Sequence, residues 1–326
     1  MSKFKIALCG CGGRSMAHLP HLKDFEETEV VGFYDIRPER AEEKQAFMGT
    51  GRVYRESVEE MLDDCRPDAL YICVPPDQHG KIELAAAARG INFFVEKPLA
   101  LDMETAEKIR DAAAAKGLIT CVGFQDRYLD IVRMTREFIA DREVALVDGA
   151  WIGGIPGVYW WPTYATSGGQ IVEQNIHHFD LSRYLFGEPE KVYCTARKGI
   201  VKRDGYDLHD CSSAVITFKS GVIANIFTGC YVTAGHPGYR NGLRIHCTDA
   251  EVDYQLRNNV TFKTSEYTKN FLRVESHERA INRAFIDALL TGDQSKVKSP
   301  YSDACKSLAL TLACNESVFT GRVVEL

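Results

Sequence analysis

Phe4-Lys5-Ile6-Ala7-Leu8-Cys9-Gly10-Cys11-Gly12-Gly13-Arg14-Ser15 decides the fold of this chain. Phe4–Leu8 reads as a short buried strand, and Arg14–Asp24 behind it as a helix. A strand, a glycine turn and a helix form the context that gives a G-x-G pair meaning. Gly10 permits the tight turn, and Gly12 lets backbone approach a pyrophosphate lying at the helix N-terminus. Gly13 and Arg14 complete the turn. Ser15 stands at the third glycine position, where a small residue still lets helix and strand pack closely. Asp35 ends the second strand, Glu29–Tyr34, near the offset of about 20 residues expected of a ribose-binding acid. Together these residues predict a dinucleotide site. Asp35 favours NAD, because its charge repels a 2′-phosphate. Arg37 and Arg40 suit such a phosphate and leave NADP open.

Outward from this turn the pattern repeats. Strands at Arg52–Tyr54, Ala69–Val74, Ile91–Val95 and Leu118–Val122 alternate with helices at Pro38–Phe47, Ser57–Asp63, Gln78–Arg89 and Asp102–Lys116. Strands joined by crossover helices imply a parallel, doubly wound sheet over residues 1–122. The loop Val74-Pro75-Pro76-Asp77-Gln78-His79 leaves the fourth strand beside the expected nicotinamide half. Asp77 suits a helix N-cap, and His79 reads as structural rather than catalytic. Glu96-Lys97-Pro98 follows Ile91–Val95, and Pro98 holds Lys97 extended. A Lys is thereby fixed at the C-terminal edge of the sheet, where ligands bind in open α/β folds.

From Gly123 the pattern changes. A helix at Asp126–Ala140 precedes strand-like segments at Val144–Ile152, Val192–Arg197, Ser213–Lys219, Val222–Thr228, Leu243–Cys247 and Val260–Lys263. Residues 123–326 therefore predict an α+β domain with an open, mainly antiparallel sheet. One helix, 168–186, is inserted in it, and helices at 276–291 and 302–319 follow. The last of these is expected to pack back on the first domain. On the inserted helix Glu173, His177 and Asp180 are spaced to share a face. That stripe suits a solvated face or a functional one, and embedding among strands favours the second. Upstream, Tyr159-Trp160-Trp161-Pro162-Thr163-Tyr164 offers aromatic faces with polar tips that suit a sugar or polyol ring; a core or subunit-contact cluster suits the same residues.

Composition bounds the reading. The 326 residues carry a net charge of −6 with signs mixed, which gives no basic footprint for nucleic acid. No stretch reads as a membrane span, and Met1–Lys5 runs straight into a strand without an export signal. The eleven cysteines are scattered without a CxxC pair, as in a reducing, cytoplasmic compartment, and neither a disulfide framework nor a metal site is expected.

These motifs together resemble the Gfo/Idh/MocA family, the glucose–fructose oxidoreductase and inositol dehydrogenase group. The resemblance rests on Gly10-x-Gly12-x-x-Ser15, Pro75-Pro76-x-x-His79, Glu96-Lys97-Pro98, Gly123-Phe124-x-x-Arg127-Tyr128, and Gly168-Gly169-Gln170 with Glu173-x-x-x-His177-x-x-Asp180. It implies a Rossmann domain followed by an open sheet whose face makes dimers or tetramers. It implies an NAD(P)-dependent oxidoreductase acting on a secondary hydroxyl or keto group of a sugar, cyclitol or sugar derivative. Lys97 then binds the reacting hydroxyl beside the nicotinamide, and His177 is the acid/base. Pro75, Pro76, His79 and Glu96 join the cofactor residues. Arg127, Tyr128, Glu173, Asp180, Trp161 and Tyr164 become candidates to bind substrate, with Glu173 where many relatives carry Asp. Two other outcomes fit the same motifs: a glycosidase or lyase working through transient sugar oxidation, and a sugar- or nucleotide-sensing regulator.

Overall fold

The computed structural model describes residues 3–233 and 240–326. The chain runs β1 (Phe4–Cys9), α1 (Leu19–Asp24), β2 (Thr28–Tyr34), α2 (Pro38–Met48), β3 (Arg52–Tyr54), α3 (Val58–Cys65), β4 (Ala69–Ile72), α4 (Lys81–Ala88), β5 (Asn92–Val95), α5 (Met103–Ala115) and β6 (Thr120–Val122). These six strands form one parallel sheet in the order β3-β2-β1-β4-β5-β6. The order reverses between β1 and β4, so the Gly10 turn and the loop after β4 leave the sheet at its switch point. Ile6, Leu8, Leu70, Tyr71, Phe93 and Phe94 have no exposed surface, as expected of strands covered on both faces. The predicted Arg14–Asp24 helix is divided into a 3-10 turn, Gly13–Ala17, and α1. Pro20, which lacks an N–H, stands in the first turn of α1 and removes the bond that would join them.

The second sheet begins after α6 (Asp130–Ile139) with β7 (Val144–Ile152). Three short helices follow: α7 (Tyr164–Ser167), α8 (Gly169–Glu173) and α9 (Ile176–Phe186). Then come β8 (Pro189–Arg197), β9 (Cys211–Phe218), β10 (Ile223–Gly229), β11 (Arg240–Cys247), β12 (Ala250–Gln255), β13 (Asn259–Thr264) and β14 (Thr268–Leu272). After α10 (His277–Thr291) and α11 (Tyr301–Thr320) a short β15 (Val324–Glu325) closes the edge. The nine strands lie in the order β14-β13-β12-β11-β7-β10-β9-β8-β15. All neighbours are antiparallel except β7 and β10. The sequence reading missed β12, β14, whose residues are mostly exposed, and the two-residue β15.

Two compact units result, one of Met1–Gln125 with Ser276–Cys305 and one of Asp126–Glu275 with Lys306–Leu326. Within the first, residues after 275 complete the parallel sheet. The Val122 amide donates to the Ser299 carbonyl, the Gln294 side chain bonds both backbone groups of Thr120, and Phe285 packs edge-on against Tyr71 and Phe94. Among the described residues, no helix is long and apolar enough to cross a membrane.

Candidate active site

In the first unit the glycine turn is tied down from three sides. Gly10 has φ +87°, and a Cβ there would lie 2.4 Å from the Cys73 carbonyl oxygen, so only glycine lets β1 turn against β4. The Cys11 amide donates to Asp35 Oδ2 at 2.7 Å, and the Arg37 amide to Oδ1 at 2.9 Å. Asp35 thus orders the turn as well as ending β2, and each oxygen keeps a lone pair for a ribose hydroxyl. Ser15 is fully buried and donates to the Gly12 carbonyl at 2.7 Å, as its small size at the third position requires. Above the turn there is room: a Cβ on Gly13 would meet nothing within 4 Å, and one on Gly12 only the Arg40 guanidinium at 3.7 Å. Open space over first-turn amides, beside an acid at the end of β2, fits a dinucleotide.

Glu96 is the brace of this half. Its carboxylate takes Arg14 Nε at 2.8 Å and His18 Nε2 at 2.9 Å, and accepts the Lys97 amide at 3.3 Å. It lies against Gly123, where a Cβ would come within 2.8 Å of Oε2. His18 passes the restraint to α10 through Asn282 Oδ1 at 3.1 Å. Burial pushes the Glu96 carboxyl up, but the charge of Arg14, the His18 bond and the Lys97 charge outweigh it and hold it at about 2. Glu96 therefore joins the glycine turn to the backbone of Lys97 rather than presenting a free carboxylate to a ligand. Lys97 itself is half-buried, and its bond to Pro98 is cis.

The depressed Glu96 pKa makes acid stability testable. Its contribution is complete above the ordinary 4.5 and disappears as pH falls toward 2, a difference of about 3 kcal/mol. Urea unfolding at pH 5 and pH 3 is expected to show Glu96→Gln less stable than the parent at pH 5, with most of that gap gone at pH 3. An unchanged gap would refute the assignment.

Pro75 and Pro76 shape the loop after β4, where a 3-10 turn covers Pro76–Gln78. The His79 side chain is buried, with Nδ1 2.6 Å from Glu83 Oε1, while Glu83 Oε2 accepts the Gly80 amide that opens α4. Through Nδ1, His79 belongs to the cap of α4.

In the second unit the predicted 168–186 helix is broken. Gly168 and Gly169 have positive φ and separate α7 from α8. Between α8 and α9 the Asn175 amide bonds the Gln170 carbonyl at 2.9 Å, a wider i→i−5 turn. The extra residue interrupts the 3.6-residue period, so Glu173 at the end of α8 and His177 on α9 do not continue one stripe. His177 is buried, with its ring near-parallel to Trp151 at 5.9 Å. Its Nδ1 lies 3.5 Å from Oδ2 of Asp126, in the 3-10 turn Gln125–Tyr128. Arg257 grips Asp126 with both hands, Nε to Oδ1 at 2.5 Å and Nη2 to Oδ2 at 2.9 Å. His178 is fully buried; burial pushes it down to about 4, so it is neutral, and Asn175 Oδ1 takes its Nδ1–H at 2.7 Å.

Several substrate candidates are committed elsewhere. Asp180 accepts Arg127 Nε at 2.8 Å, Arg127 Nη2 at 2.5 Å and the Ser307 hydroxyl at 2.6 Å. Both members of this pair are almost wholly buried, and a buried charge stays where its partner holds it. Arg127 and Asp180 thus form a buried ion pair within the second unit. Tyr128 is 6 % exposed. Trp161 has no exposed surface and packs with Leu208 and Cys230, which favours the core-cluster alternative over the sugar platform. The Tyr164 hydroxyl is 2.6 Å from His209 Nδ1, and burial raises its pKa to about 12. Glu173 is half-buried. Sequence reasoning missed Asp126, Arg257 and Trp151. Asp126 adjoins the recognised Arg127, but Arg257 is 131 positions away in a turn and carries no local signal.

Residues 4–124 match the oxidoreductase family described by its NAD-binding Rossmann fold, and residues 143–253 match the GFO/IDH/MocA C-terminal domain. The inositol 2-dehydrogenase of Rhizobium meliloti is 25% identical over 337 residues, 99% of each chain. The myo-inositol 2-dehydrogenase of Thermotoga maritima is 24% identical over 225 residues, 68% of this chain and 67% of its own. In fold, the WlbA dehydrogenase of Bordetella pertussis, solved with NADH and UDP-GlcNAcA, superposes with TM-score 0.84 at 21% identity over 99% of both chains. With both of its domains matched, this chain belongs to the Gfo/Idh/MocA family of oxidoreductases, and its first unit is that family's NAD-binding Rossmann domain.

Proposed function

We propose that the protein is an NAD(P)-dependent dehydrogenase that interconverts a secondary alcohol and a ketone on a sugar, cyclitol or sugar derivative. One observation carries the reading: buried His177 sets its Nδ1 3.5 Å from the Asp126 carboxylate, whose charge favours the imidazolium that proton uptake creates. The inositol dehydrogenase relatives supply the substrate class.

In the oxidising direction the alcohol loses its C–H electron pair as hydride and its O–H proton, and a C=O bond forms. The nicotinamide dinucleotide supplies the hydride acceptor. Gly12, Gly13 and Asp35 would hold its pyrophosphate and ribose. Lys97, at the end of β5, binds the hydroxyl oxygen and offsets the negative charge that builds on it. His177 Nε2 takes the proton and returns it in reduction.

The test is a spectrophotometric screen of sugars, inositols and sugar acids, with NAD and NADP supplied separately. Formation of reduced nicotinamide with at least one polyol is expected; conversion of none overturns the reading. NAD is expected to be preferred, since the Asp35 carboxylate opposes a 2′-phosphate. Asp35→Ser is expected to raise kcat/KM with NADP while lowering it with NAD, and an unchanged ratio would place selectivity elsewhere.

The outer face of the nine-stranded sheet supports assembly into a dimer or tetramer. Leu146 pairs with Ile223 and Val215 with Tyr193 across neighbouring strands, and all four are more than 40 % exposed. Light scattering should report at least twice the 36.5 kDa chain mass. The eleven cysteines are all free thiols, which suits a reducing cytoplasm.

A further inference from the structure

Asp126 has no place among the motif residues, yet its carboxylate lies 3.5 Å from His177 Nδ1. We propose that Asp126, itself set by Arg257, is a positioning residue that holds the His177 ring in one tautomer and governs how readily it takes a proton. The inference rests on the reading of His177 as the proton-transfer group.

Among the described residues, the charged, titratable and aromatic groups in contact with His177, or placed near it on its own and the adjoining helix, are the following. The 3-10 turn gives Asp126, at 3.5 Å from Nδ1. The β12–β13 turn gives Arg257, which bonds both Asp126 oxygens. β7 gives the Trp151 ring. α9 gives His178, neutral through burial, and Asp180, whose charge is matched by Arg127. α8 ends in half-buried Glu173. At 3.5 Å Asp126 makes no hydrogen bond to Nδ1, but its negative charge favours the neutral tautomer that carries the ring N–H on Nδ1, facing it. When Nε2 takes the substrate proton the ring becomes cationic, and the adjacent carboxylate favours that form.

Arg257 moderates this effect. Its two bonds cancel part of the Asp126 charge, so His177 feels less than a bare carboxylate at the same distance. Arg257 has φ +56° in the turn between β12 and β13, a conformation that costs a non-glycine residue energy. The Tyr254 hydroxyl accepts the Arg257 amide at 3.3 Å and fixes the turn. The neighbouring Arg127 anchors the same 3-10 turn to Asp180, one helical turn beyond His177 on α9. Two adjacent residues of opposite charge therefore fix where the turn meets α9, and Asp126 faces Nδ1 as a result.

The two partners predict opposite shifts. In ¹⁵N-histidine-labelled protein without cofactor, long-range ¹H–¹⁵N spectra are expected to show His177 as the Nδ1–H tautomer. In Asp126→Asn its titration midpoint should fall by about one pH unit or more, and in Arg257→Gln it should rise. The acid limb of kcat/KM should move in the same two directions, and kcat of Asp126→Asn should fall about tenfold or more with little change in KM. An Nε2–H tautomer in the parent overturns the proposal, as does an unmoved midpoint in either folded variant. If Asp126→Asn does not fold, Arg257→Gln decides alone, since Arg257 is partly exposed and its rise has no counterpart in a merely structural role. Normal turnover of His177→Ala together with the expected midpoints would refute the catalytic reading of His177 and leave the Asp126 effect standing. A dead His177→Ala with unmoved midpoints would refute the Asp126 effect alone.

Discussion

His177→Ala is expected to lower kcat by about 10²–10⁴-fold, the range that a positioned acid/base contributes. The dissociation constant of NADH, read from its fluorescence, should stay within about threefold of the parent, well under the 1.4 kcal/mol of a tenfold change. The separation is expected because the dinucleotide turn belongs to the first compact unit and His177 to the second. The acid limb of the pH–rate profile should also disappear, because the group that titrates there is gone. Removing the ring leaves Asp126 gripped by Arg257, so that carboxylate remains paired and the unit should stay folded. A variant that retains near-parental turnover on a verified substrate would exclude His177 from the chemistry.

Lys97→Ala carries the second large effect. Loss of a cation aimed at a developing oxyanion is expected to cost about 10²–10³-fold in kcat. Stability should change little, because Glu96 bonds the Lys97 backbone amide and keeps Arg14 and His18 when the side chain is removed. Thermal unfolding within about 2 °C of the parent, alongside the lost turnover, would separate a chemical role from a structural one. Lys97→Arg should recover only part of the rate, since the guanidinium is a planar fork and the ammonium a compact point charge. Equal rates in parent and Lys97→Ala would refute the assignment.

The parallel sheet was legible because its strands are short apolar runs punctuated by glycines and capped helices. Ile6–Leu8 and Phe93–Val95 have no surface to reveal a face, so their continuous hydrophobicity was itself the signal. The glycine turn and Asp35 were legible because their spacing is local. The split at Pro20 was missed although the proline was in view. The wider turn at Asn175 was not readable, since an i→i−5 bond leaves no mark on composition. The least legible feature was pairing at long range. Asp126 with Arg257, Arg127 with Asp180, and Glu96 with His18 join positions 131, 53 and 78 residues apart. Charged residues at such distances read equally well as solvated faces, and only the fold shows which are buried together. Trp161 suited both sugar stacking and core packing in the sequence, and the fold shows it packed with Leu208 and Cys230.

The first compact unit is discontinuous in sequence, and this bears on how the protein is made. Its sheet ends in β6, whose Thr120 and Val122 bond Gln294 and Ser299, and its aromatic layer is closed by Phe285. During translation the hydrogen-bond partners of β6 emerge about 175 residues after it, on the order of ten to thirty seconds at ordinary elongation rates. Until then the nascent sheet shows an unpaired edge and an open apolar layer, the surfaces that chaperones bind. A fragment stopping at Gln125 would be frozen at that stage, so a self-sufficient dinucleotide-binding domain cut from this chain must carry 276–305 with it.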